Sequence, residues 1–448
     1  MSATPDPVVT GTVPGTTSWL THRAAAMPDR LALRTAAADL TFSELEAEAS
    51  TTAERLRGEG AAQGSLIPLD MAPSAEFVAH LHAAAKLGAV AAPVRPGVAA
   101  PQSAPATPPE GETSNADPYR GAIGTFPPRE AAGALARLYT SGTSGAPRTV
   151  DLTTANFFHS AVGTAFALGI SPADRWLCCV PLHHVAGLSI LTRSAICGMA
   201  AVLHDGFDID RVAESFAEDG VTLVSLVATQ LIRLLDADVD LTGPRALVMG
   251  GGPVPVEAIA EATGRGATVI QVYGMTETTS QVTLLEPADA ERKAGSAGRA
   301  LLGSELRIEE GEILVRGPVV APGSAGADGW LRTGDLGAID GDGYLWVDGR
   351  RDDLIVTGGE NVMPERVEDV LRAHPDVADA AVVGRPDPEW QEAVTAVVVL
   401  HPGAQEDAES LRNHCAQELA GYEVPKHFAF VMDLPRTASG KLMRSALR

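Results

Sequence analysis

The sequence has little lysine, few aromatic residues and few cysteines, and it contains no long hydrophobic run. Aromatic side chains make up 4% of its 448 residues, and its formal net charge is −23. An acidic chain lacks the basic face that nucleic-acid phosphates demand, which excludes sequence-independent nucleic-acid binding. The chain has no stretch of about 18 apolar residues, and its first residues lack the pattern of a secretory signal. We therefore expect a cytoplasmic protein with no transmembrane segment and no nucleic-acid partner.

The few cysteines and lysines are informative by their positions. The cysteines are Cys178, Cys179, Cys197 and Cys415, and they form no C-x-x-C pair. Without such a pair or a cysteine–histidine cluster, we expect buried thiols in a reducing compartment and no structural zinc site. The lysines are Lys86, Lys293, Lys426 and Lys441. These four are the only lysines among 34 lysine and arginine residues, so the sequence strongly favours arginine as its basic residue.

The length and the hydrophobic pattern predict two domains. A chain of 448 residues exceeds the usual limit of one hydrophobic core. Apolar strands alternate with helical segments over 138–285, which predicts a mostly parallel α/β sheet. Short strands between glycine and aspartate turns over 295–348 predict a small β subdomain, after which the pattern resets. We therefore predict an N-terminal domain over 1–350 and a separate α+β domain over 351–448.

One proline-rich stretch interrupts this pattern. Residues 97–135 carry seven prolines and few large apolar side chains. This composition predicts a loop or mobile linker rather than an element of the core.

A run of small hydroxyl and glycine residues stands in the middle of the chain. Residues 138–148 read L-Y-T-S-G-T-S-G-A-P-R. Positions 140–145 can turn tightly and offer several backbone N–H and hydroxyl donors, which suits a polyphosphate. The run is not the P-loop motif, because no Lys-Ser or Lys-Thr pair follows its glycines. Alone, such a run is more often a flexible surface loop, so the rest of the chain must decide.

Three further stretches carry residues suited to binding a nucleotide. Gly250–Pro253 follows an apolar strand and would let the backbone approach a flat ring. Tyr273 ends another strand and could stack on a base, while the nearby Glu277 could hold Mg²⁺. Asp335 offers a carboxylate suited to two ribose hydroxyls. The glycine stretch is equally typical of an ordinary strand-to-helix turn, and Glu277 and Asp335, taken singly, are more often turn or capping residues.

The order and spacing of these pieces resemble the adenylate-forming superfamily, which includes acyl-CoA synthetases, luciferases and peptide-synthetase adenylation domains. The matching motifs, in chain order, are Tyr139–Arg148, Gly250–Pro253, Tyr273–Glu277, Trp330–Asp335, Arg350–Glu360 and Pro435–Lys441. The resemblance implies an α/β fold: a large N-terminal domain of layered, mostly parallel sheets with helices and a small β subdomain, followed by a small, mobile α+β C-terminal domain.

The resemblance also implies a site for ATP and Mg²⁺. Tyr273 would stack on adenine, Asp335 and Arg350 would hold the ribose, and Asp352 would be the hinge. The implied catalytic residues are Lys441, Arg350, Glu277 and Thr276, and the implied metal ligands are Glu277 and Thr140. The implied nucleotide-binding residues are Thr140, Ser141, Gly142, Thr143, Ser144, Gly145, Arg148, Gly250, Gly251, Gly252, Tyr273, Gly274, Met275, Thr276, Asp335, Arg350 and Lys441.

Within the superfamily, the stretch P-L-H-H-V-A-G-L-S-I-L-T-R-S over 181–194 resembles the o-succinylbenzoate–CoA ligase family. The substrate of that family is a dicarboxylate. Arg193, on a helix lining the acyl pocket, would give its non-reacting carboxylate a forked partner, although a structural acid could instead pair with this arginine. The implied substrate-binding residues are His184, Gly187, Ser189, Arg193 and Ser280.

The resemblance implies an enzyme that activates a small carboxylic acid with ATP and transfers it to coenzyme A in menaquinone biosynthesis. Three departures from the family pattern stand out. Arg148 replaces the usual lysine of the phosphate loop, and His183 replaces an aromatic residue before His184. The linker over 97–135 is also shorter than the family's region there, so by this resemblance we expect one strand or helix of the first subdomain to be missing. The alternatives are a ligase for another aryl or short acyl acid, an adenylation domain serving a carrier protein, and a catalytically silent nucleotide-binding member. The sequence also leaves a homo-oligomer open.

Overall fold

The computed structural model describes residues 18–95, 133–141, 147–437 and 442–448. The α-helices of this part of the chain are α1 Trp19–Ala26, α2 Phe42–Gly58, α3 Ala75–Leu87, α4 Thr154–Leu168, α5 Val185–Cys197, α6 Ile209–Ala217, α7 Ala228–Asp236, α8 Val256–Gly264, α9 Pro364–Arg372 and α10 Ala408–Glu418. None of the helices in these ranges is long and apolar enough to cross a bilayer.

The strands alternate with these helices. They are β1 Leu31–Arg34, β2 Asp39–Thr41, β3 Leu66–Leu69, β4 Val90–Pro93, β5 Ala134–Ser141, β6 Pro147–Thr153, β7 Arg175–Cys178, β8 Ala200–Leu203, β9 Leu223–Leu226, β10 Ala246–Met249, β11 Val269–Tyr273, β12 Thr283–Leu284, β13 Arg299–Ala300, β14 Glu305–Glu309, β15 Glu312–Arg316, β16 Leu331–Ile339, β17 Leu345–Arg350, β18 Ile355–Thr357, β19 Glu360–Val362, β20 Val377–Asp387, β21 Gln391–Leu400 and β22 His427–Phe430.

The largest sheet has nine strands in the order β13-β12-β11-β10-β9-β7-β8-β1-β2. The six central strands of this order, β11 through β1, pair in parallel. The edge strands β2, β12 and β13 pair antiparallel with their neighbours. Helices connect the parallel strands, as a crossover requires. The mostly parallel α/β sheet predicted from the sequence is confirmed.

The central strands are buried on both faces, which explains their continuous apolar sequences. On β7, Trp176 and Cys178 face one hydrophobic core, while Leu177 belongs to a second core on the other side. Cys179, which directly follows β7, joins this second core, so the adjacent Cys178 and Cys179 point to opposite faces of the sheet. Leu188 and Leu191 of α5 pack in the first core, so this helix lies against the sheet.

Three smaller sheets complete the fold. One contains β3, β4, β5 and β6, and an antiparallel one contains β14, β15, β16 and β17. Strands β18–β22 form a five-stranded sheet of their own, whose core includes residues of α9 and α10. The predicted short strands of the β subdomain and the later change of pattern are therefore found in the structure.

Two expectations from the sequence need correction at their boundaries. Strand β5 starts at Ala134, so the predicted linker over 97–135 extends too far, and its residues up to 132 lie outside the described part of the chain. Thr140 and Ser141 were expected in the phosphate loop, but they belong to β5 and pair with residues 148 and 147 of β6. Backbone hydrogen bonds of the ladder extend the strands beyond the point where the small residues begin.

Candidate active site

The predicted site residues gather at the carboxyl ends of the parallel strands, where open α/β sheets bind ligands. Gly250, Gly251 and Gly252 directly follow β10, and Tyr273 is the last residue of the adjacent β11. A β-carbon added at Gly250 would lie 3.1 Å from Cγ2 of Val272, so this turn packs closely against β11. The two adjacent strand ends therefore form one continuous edge.

The chain turns back on itself after β11. A side chain at Gly274 would collide with the backbone of Ser280, so only glycine fits there. Between them lies a 3-10 turn over Thr276–Thr278, and the Thr279 carbonyl oxygen accepts a hydrogen bond of 2.8 Å from the Ser160 hydroxyl of α4. Ser280 has a φ of 86°, which is uncommon for a residue with a side chain. The tight loop fixes the position of Glu277 in the turn.

The Glu277 carboxylate makes no hydrogen bond or ion pair with any residue that the structure describes. The turn that carries it contacts β6, the strand that follows the predicted phosphate loop. Arg148 lies on β6, exposed, opposite Thr140 of β5. Gly142, Thr143, Ser144 and Gly145 lie outside the described residues.

A hydrogen-bonded group of three side chains joins the large sheet to the β subdomain. The Tyr273 hydroxyl donates a hydrogen bond of 2.7 Å to Oδ2 of Asp335, and Nη1 of Arg350 lies 2.9 Å from Oδ1 of the same carboxylate. Asp335 is buried. Burial and the Asp335 carboxylate raise the pKa of Tyr273, so its hydroxyl stays protonated and keeps donating. The predicted ribose-binding pair and the predicted adenine-stacking tyrosine thus meet in space.

Glu312 contacts the backbone beside this group, and no motif in the sequence marks it. Its Oε1 accepts a hydrogen bond of 2.9 Å from the backbone N–H of Gly334, the residue before Asp335. Glu312 is 6% exposed, and a glutamate is rarely so deeply buried. The sequence does not predict this contact, because it depends on how β15 and β16 are paired.

Helix α5 carries most of the predicted acid-binding residues. His184 precedes its first turn, and its ring centroid lies 4.5 Å from that of His183. Burial, with smaller effects of His183 and Arg95, lowers the pKa of His184 to about 4, so the imidazole is neutral at pH 7. Gly187 packs against the backbone of Pro181. The helix therefore begins at the site edge and runs away from it into the core.

Ser189 and Arg193 lie one turn apart on the same face of α5, and both are 2% exposed. The Cζ atom of Arg193 lies 4.8 Å from the centroid of the Trp176 ring. Nε and Nη2 of Arg193 and Oγ of Ser189 are buried without a hydrogen-bond partner among the described residues. Burial lowers the pKa of Arg193 to about 10, so it remains charged at pH 7. No described carboxylate pairs with this arginine, which argues against the structural alternative.

The predicted hinge lies directly after the β subdomain. Asp352 is exposed in a 3-10 turn over Arg351–Asp353, between β17 and β18. Nη2 of Arg448, near the end of the chain, lies 3.3 Å from the Asp352 carbonyl oxygen and 3.0 Å from Oδ1 of Asp353. Lys441 lies outside the described residues.

This arrangement can bind a nucleotide but offers no preformed metal cage. Within the described ranges, no three histidine, cysteine, aspartate or glutamate side chains are grouped to hold a metal ion. A metal bound here would need oxygen ligands from a substrate besides Glu277, as Mg²⁺ does at polyphosphate sites. The buried Arg193 cation lies deeper, on α5, with donors that meet no acceptor in the described part of the chain.

Family models and known proteins match most of the chain. Residues 20–107 and 102–324 match the model of the AMP-binding enzyme family, and residues 366–441 match the AMP-binding enzyme C-terminal domain. The 2-succinylbenzoate–CoA ligase of Bacillus licheniformis is 39% identical, covering 96% of this chain and 99% of that protein.

Solved structures show the same similarity. The o-succinylbenzoate coenzyme A synthetase of Bacillus subtilis, in complex with its acyl-adenylate intermediate, superimposes with a TM-score of 0.83 at 34% identity, covering 97% of this chain and 98% of that one. ATP-bound MatB from Rhodopseudomonas palustris gives a TM-score of 0.85 at 27% identity, covering 96% and 98% of the two chains. The chain therefore belongs to the AMP-binding enzyme family.

Proposed function

We propose that this protein is an ATP-dependent acid–CoA ligase that activates o-succinylbenzoate as an acyl-adenylate and transfers it to coenzyme A in menaquinone biosynthesis. Relatives at 36 to 39% identity over nearly their whole length are named 2-succinylbenzoate–CoA ligases. The observation that carries the choice of acid is Arg193, a buried cation on the helix that starts at the site, whose Nε and Nη2 have no hydrogen-bond partner among the described residues.

The contacts of Arg193 fit a dicarboxylate. An unpaired charge in the core is costly, so such a group is retained where a ligand of opposite charge completes it. Long side chains on a helix point back toward its amino end, which directs the guanidinium toward the turn of Ser189 and toward the site. Free Nε and Nη2 atoms form the edge with which arginine binds a carboxylate through two hydrogen bonds. A monocarboxylic acid would leave this edge unused.

The nucleotide half of the proposal uses the strand ends. Tyr273 would face the adenine, and Asp335, held by Arg350, would accept hydrogen bonds from the ribose hydroxyls. The predicted phosphate loop between β5 and β6, with Arg148 as the second residue of β6, would grip the β- and γ-phosphates. Glu277 and Thr140 would hold the Mg²⁺ that accompanies ATP, and the unpaired Glu277 carboxylate fits that role. Bound Mg²⁺ neutralises charge on the phosphates.

The reaction has two steps. An oxygen of the succinyl carboxylate attacks the α-phosphorus of ATP, and the bond from that phosphorus to the β-phosphate bridging oxygen breaks, which releases pyrophosphate. The sulfur of coenzyme A then attacks the acyl carbon, the thiol proton leaves to solvent, and AMP departs. The protein contributes positioning and charge stabilisation, since phosphoryl transfer needs little covalent help.

Two domains would divide these steps. We place the N-terminal domain over 1–350 and the C-terminal domain over 351–448, because the β18–β22 sheet begins directly after the hinge turn. Lys441 would stabilise charge on the α-phosphate in the first step, and rotation about Asp352 would remove it before the thiol step.

A pyrophosphate-release assay tests the proposal. The full chain is given ATP and Mg²⁺ with o-succinylbenzoate, 4-oxo-4-phenylbutanoate, benzoate or a short fatty acid, with and without coenzyme A, and thioester is measured in parallel. We expect o-succinylbenzoate to give the highest kcat/KM and a CoA thioester. Preference for another acid would contradict the substrate, and absence of pyrophosphate with every acid would indicate a silent nucleotide-binding protein.

A further inference from the structure

The carboxylate of Asp335 is carried by a local break in the β-subdomain sheet. Pairing of β15 with β16 matches Glu312 with Leu336 and then Leu314 with Arg332. One residue on β15 therefore faces three on β16, so residues 333–335 bulge out of the ladder. Gly334 has a φ of 72°, a left-handed backbone that favours glycine. The bulge turns Asp335 toward Tyr273 and Arg350.

A bulge leaves backbone groups without their partners in the ladder, and buried N–H groups need a partner. The Thr333 hydroxyl supplies part of the replacement, because it donates to the Ile313 carbonyl at 2.7 Å and accepts the Asp335 N–H at 3.1 Å. Oε1 of Glu312 supplies the rest, because it accepts the Gly334 N–H at 2.9 Å. These two side chains hold the bulge where the backbone of β15 does not.

Two arginines hold the second oxygen of Glu312. Oε2 lies 3.4 Å from Nη2 of Arg351 and 3.7 Å from Nη1 of Arg332. Both arginines are partly exposed, so these ion pairs contribute little energy themselves. They orient the carboxylate so that Oε1 points at the bulge. Since Arg351 begins the hinge turn, the same carboxylate also contacts the segment that leads to the C-terminal domain.

We propose that Glu312 is a positioning residue for ATP binding, which holds the 333–335 bulge so that Asp335 meets the ribose. It touches no substrate itself. The inference rests on the proposed function, in which Asp335 binds ATP. What matters is the reach of the side chain and an oxygen that accepts from Gly334, rather than negative charge alone.

Three variants separate reach from charge. Glu312→Gln keeps the length and an accepting oxygen but loses the charge. Glu312→Asp keeps the charge but is one methylene shorter, and Glu312→Ala removes both. Glu309→Gln and Glu309→Asp are matched controls, because Glu309 pairs with the same Arg332 at 2.9 Å. It stands opposite Glu312 in the ladder, but among the described residues its carboxylate bonds only to Arg307 and Arg332 and not to the backbone of 333–335. The KM for ATP and the KM for o-succinylbenzoate are measured by pyrophosphate release, with thermal unfolding of each variant.

We expect Glu312→Asp and Glu312→Ala to raise the KM for ATP about tenfold, as loss of one hydrogen bond predicts. Glu312→Gln should stay within about threefold of wild type, and no variant should change the KM for the acid. A general loss of folded protein would lower the rate without raising one KM selectively. If Glu312→Ala does not fold, the Gln and Asp variants still decide.

Two results would overturn the inference. One is an ATP KM that follows charge, with Gln impaired and Asp normal. The other is an equal effect on both substrates, or none on either. If the wild-type protein releases no pyrophosphate with any acid, the proposed function fails instead, and direct measurement of ATP binding to the same variants still tests the role of Glu312.

Discussion

Replacing Arg193 with methionine should abolish the preference for a second carboxylate. Methionine is unbranched, fills a similar space and packs well against an aromatic ring, so contact with Trp176 can be kept while the charge is removed. The Cζ atom of Arg193 lies 4.8 Å from the centroid of that ring, and the residue is 2% exposed. The change therefore tests the guanidinium with little exposed surface altered.

The magnitude follows from the free donors. Hydrogen bonds to charged groups contribute roughly 1.5 to 3 kcal/mol each. If Nε and Nη2 together contribute about 3 kcal/mol, kcat/KM for o-succinylbenzoate should fall by a factor on the order of 10². The value for 4-oxo-4-phenylbutanoate, which has the same skeleton without the ring carboxylate, should change by no more than about threefold.

Stability should move in the opposite direction. Burial lowers the pKa of Arg193 to about 10 from 12.5, and each unit corresponds to about 1.4 kcal/mol, so the unpaired cation costs the ligand-free fold on the order of 3 kcal/mol. Arg193→Met should therefore unfold at a higher temperature than wild type without substrate. Wild-type protein, in contrast, should gain more stability from added o-succinylbenzoate.

The assay measures kcat/KM of wild type and of Arg193→Met with each of the two acids. Arg23→Met is the matched control, because Nε of Arg23 lies 3.3 Å from the Ala195 carbonyl oxygen at the end of the same helix. The control should keep the ratio between the two acids. If Arg193→Met keeps that ratio, even with lower activity toward both acids, Arg193 does not bind the second carboxylate.

Four other outcomes are expected. Tyr273→Phe removes the hydroxyl that donates to Asp335, so the KM for ATP should rise about fivefold in steady-state assays, and an unchanged KM would count against this contact. Burial lowers the pKa of His82 to about 4, so the unfolded chain binds a proton first and the protein should lose stability as the pH falls from about 6.5 to 4. His82→Gln should reduce the slope of the unfolding free energy against pH in that window by up to about 1.4 kcal/mol per pH unit, and an unchanged slope would contradict this role. Arg148→Lys should keep kcat/KM within about tenfold, because backbone donors supply most of the phosphate grip; a hundredfold loss would show a loop adapted to guanidinium. Lys441→Ala should slow pyrophosphate release about 10² to 10³-fold while chemically prepared acyl-adenylate is still converted to thioester, whereas equal damage to both steps would contradict domain rotation.

Local sequence patterns predicted the large elements well. Apolar runs such as Ala246–Met249 can only be buried on both faces, so they identify strands of a parallel sheet. The Thr41–Glu44 stretch has the sequence of a capping box and stands at the start of α2, and both of its reciprocal hydrogen bonds are present. Such features depend on residues close in sequence, and for that reason they can be read without a structure.

Contacts between distant segments could not be read in this way. Tyr273 and Asp335 are separated by 62 positions, and nothing in either stretch specifies the hydrogen bond between them. The bulge opposite Ile313 depends on the register of two strands, which alternation alone does not set across an irregularity. Whether an acid pairs with Arg193 was likewise undecidable, because the answer depends on which side chains surround Trp176.

Transfer of oxygen-18 from the acid to AMP tests the central claim most directly. The full chain is incubated with ATP, Mg²⁺, coenzyme A and o-succinylbenzoate whose succinyl carboxylate carries oxygen-18, and the products are analysed by mass spectrometry. If the carboxylate attacks the α-phosphorus, each AMP formed from doubly labelled acid carries one oxygen-18 atom, and the thioester keeps the other. Unlabelled AMP, or ADP in place of AMP, would contradict an acyl-adenylate mechanism.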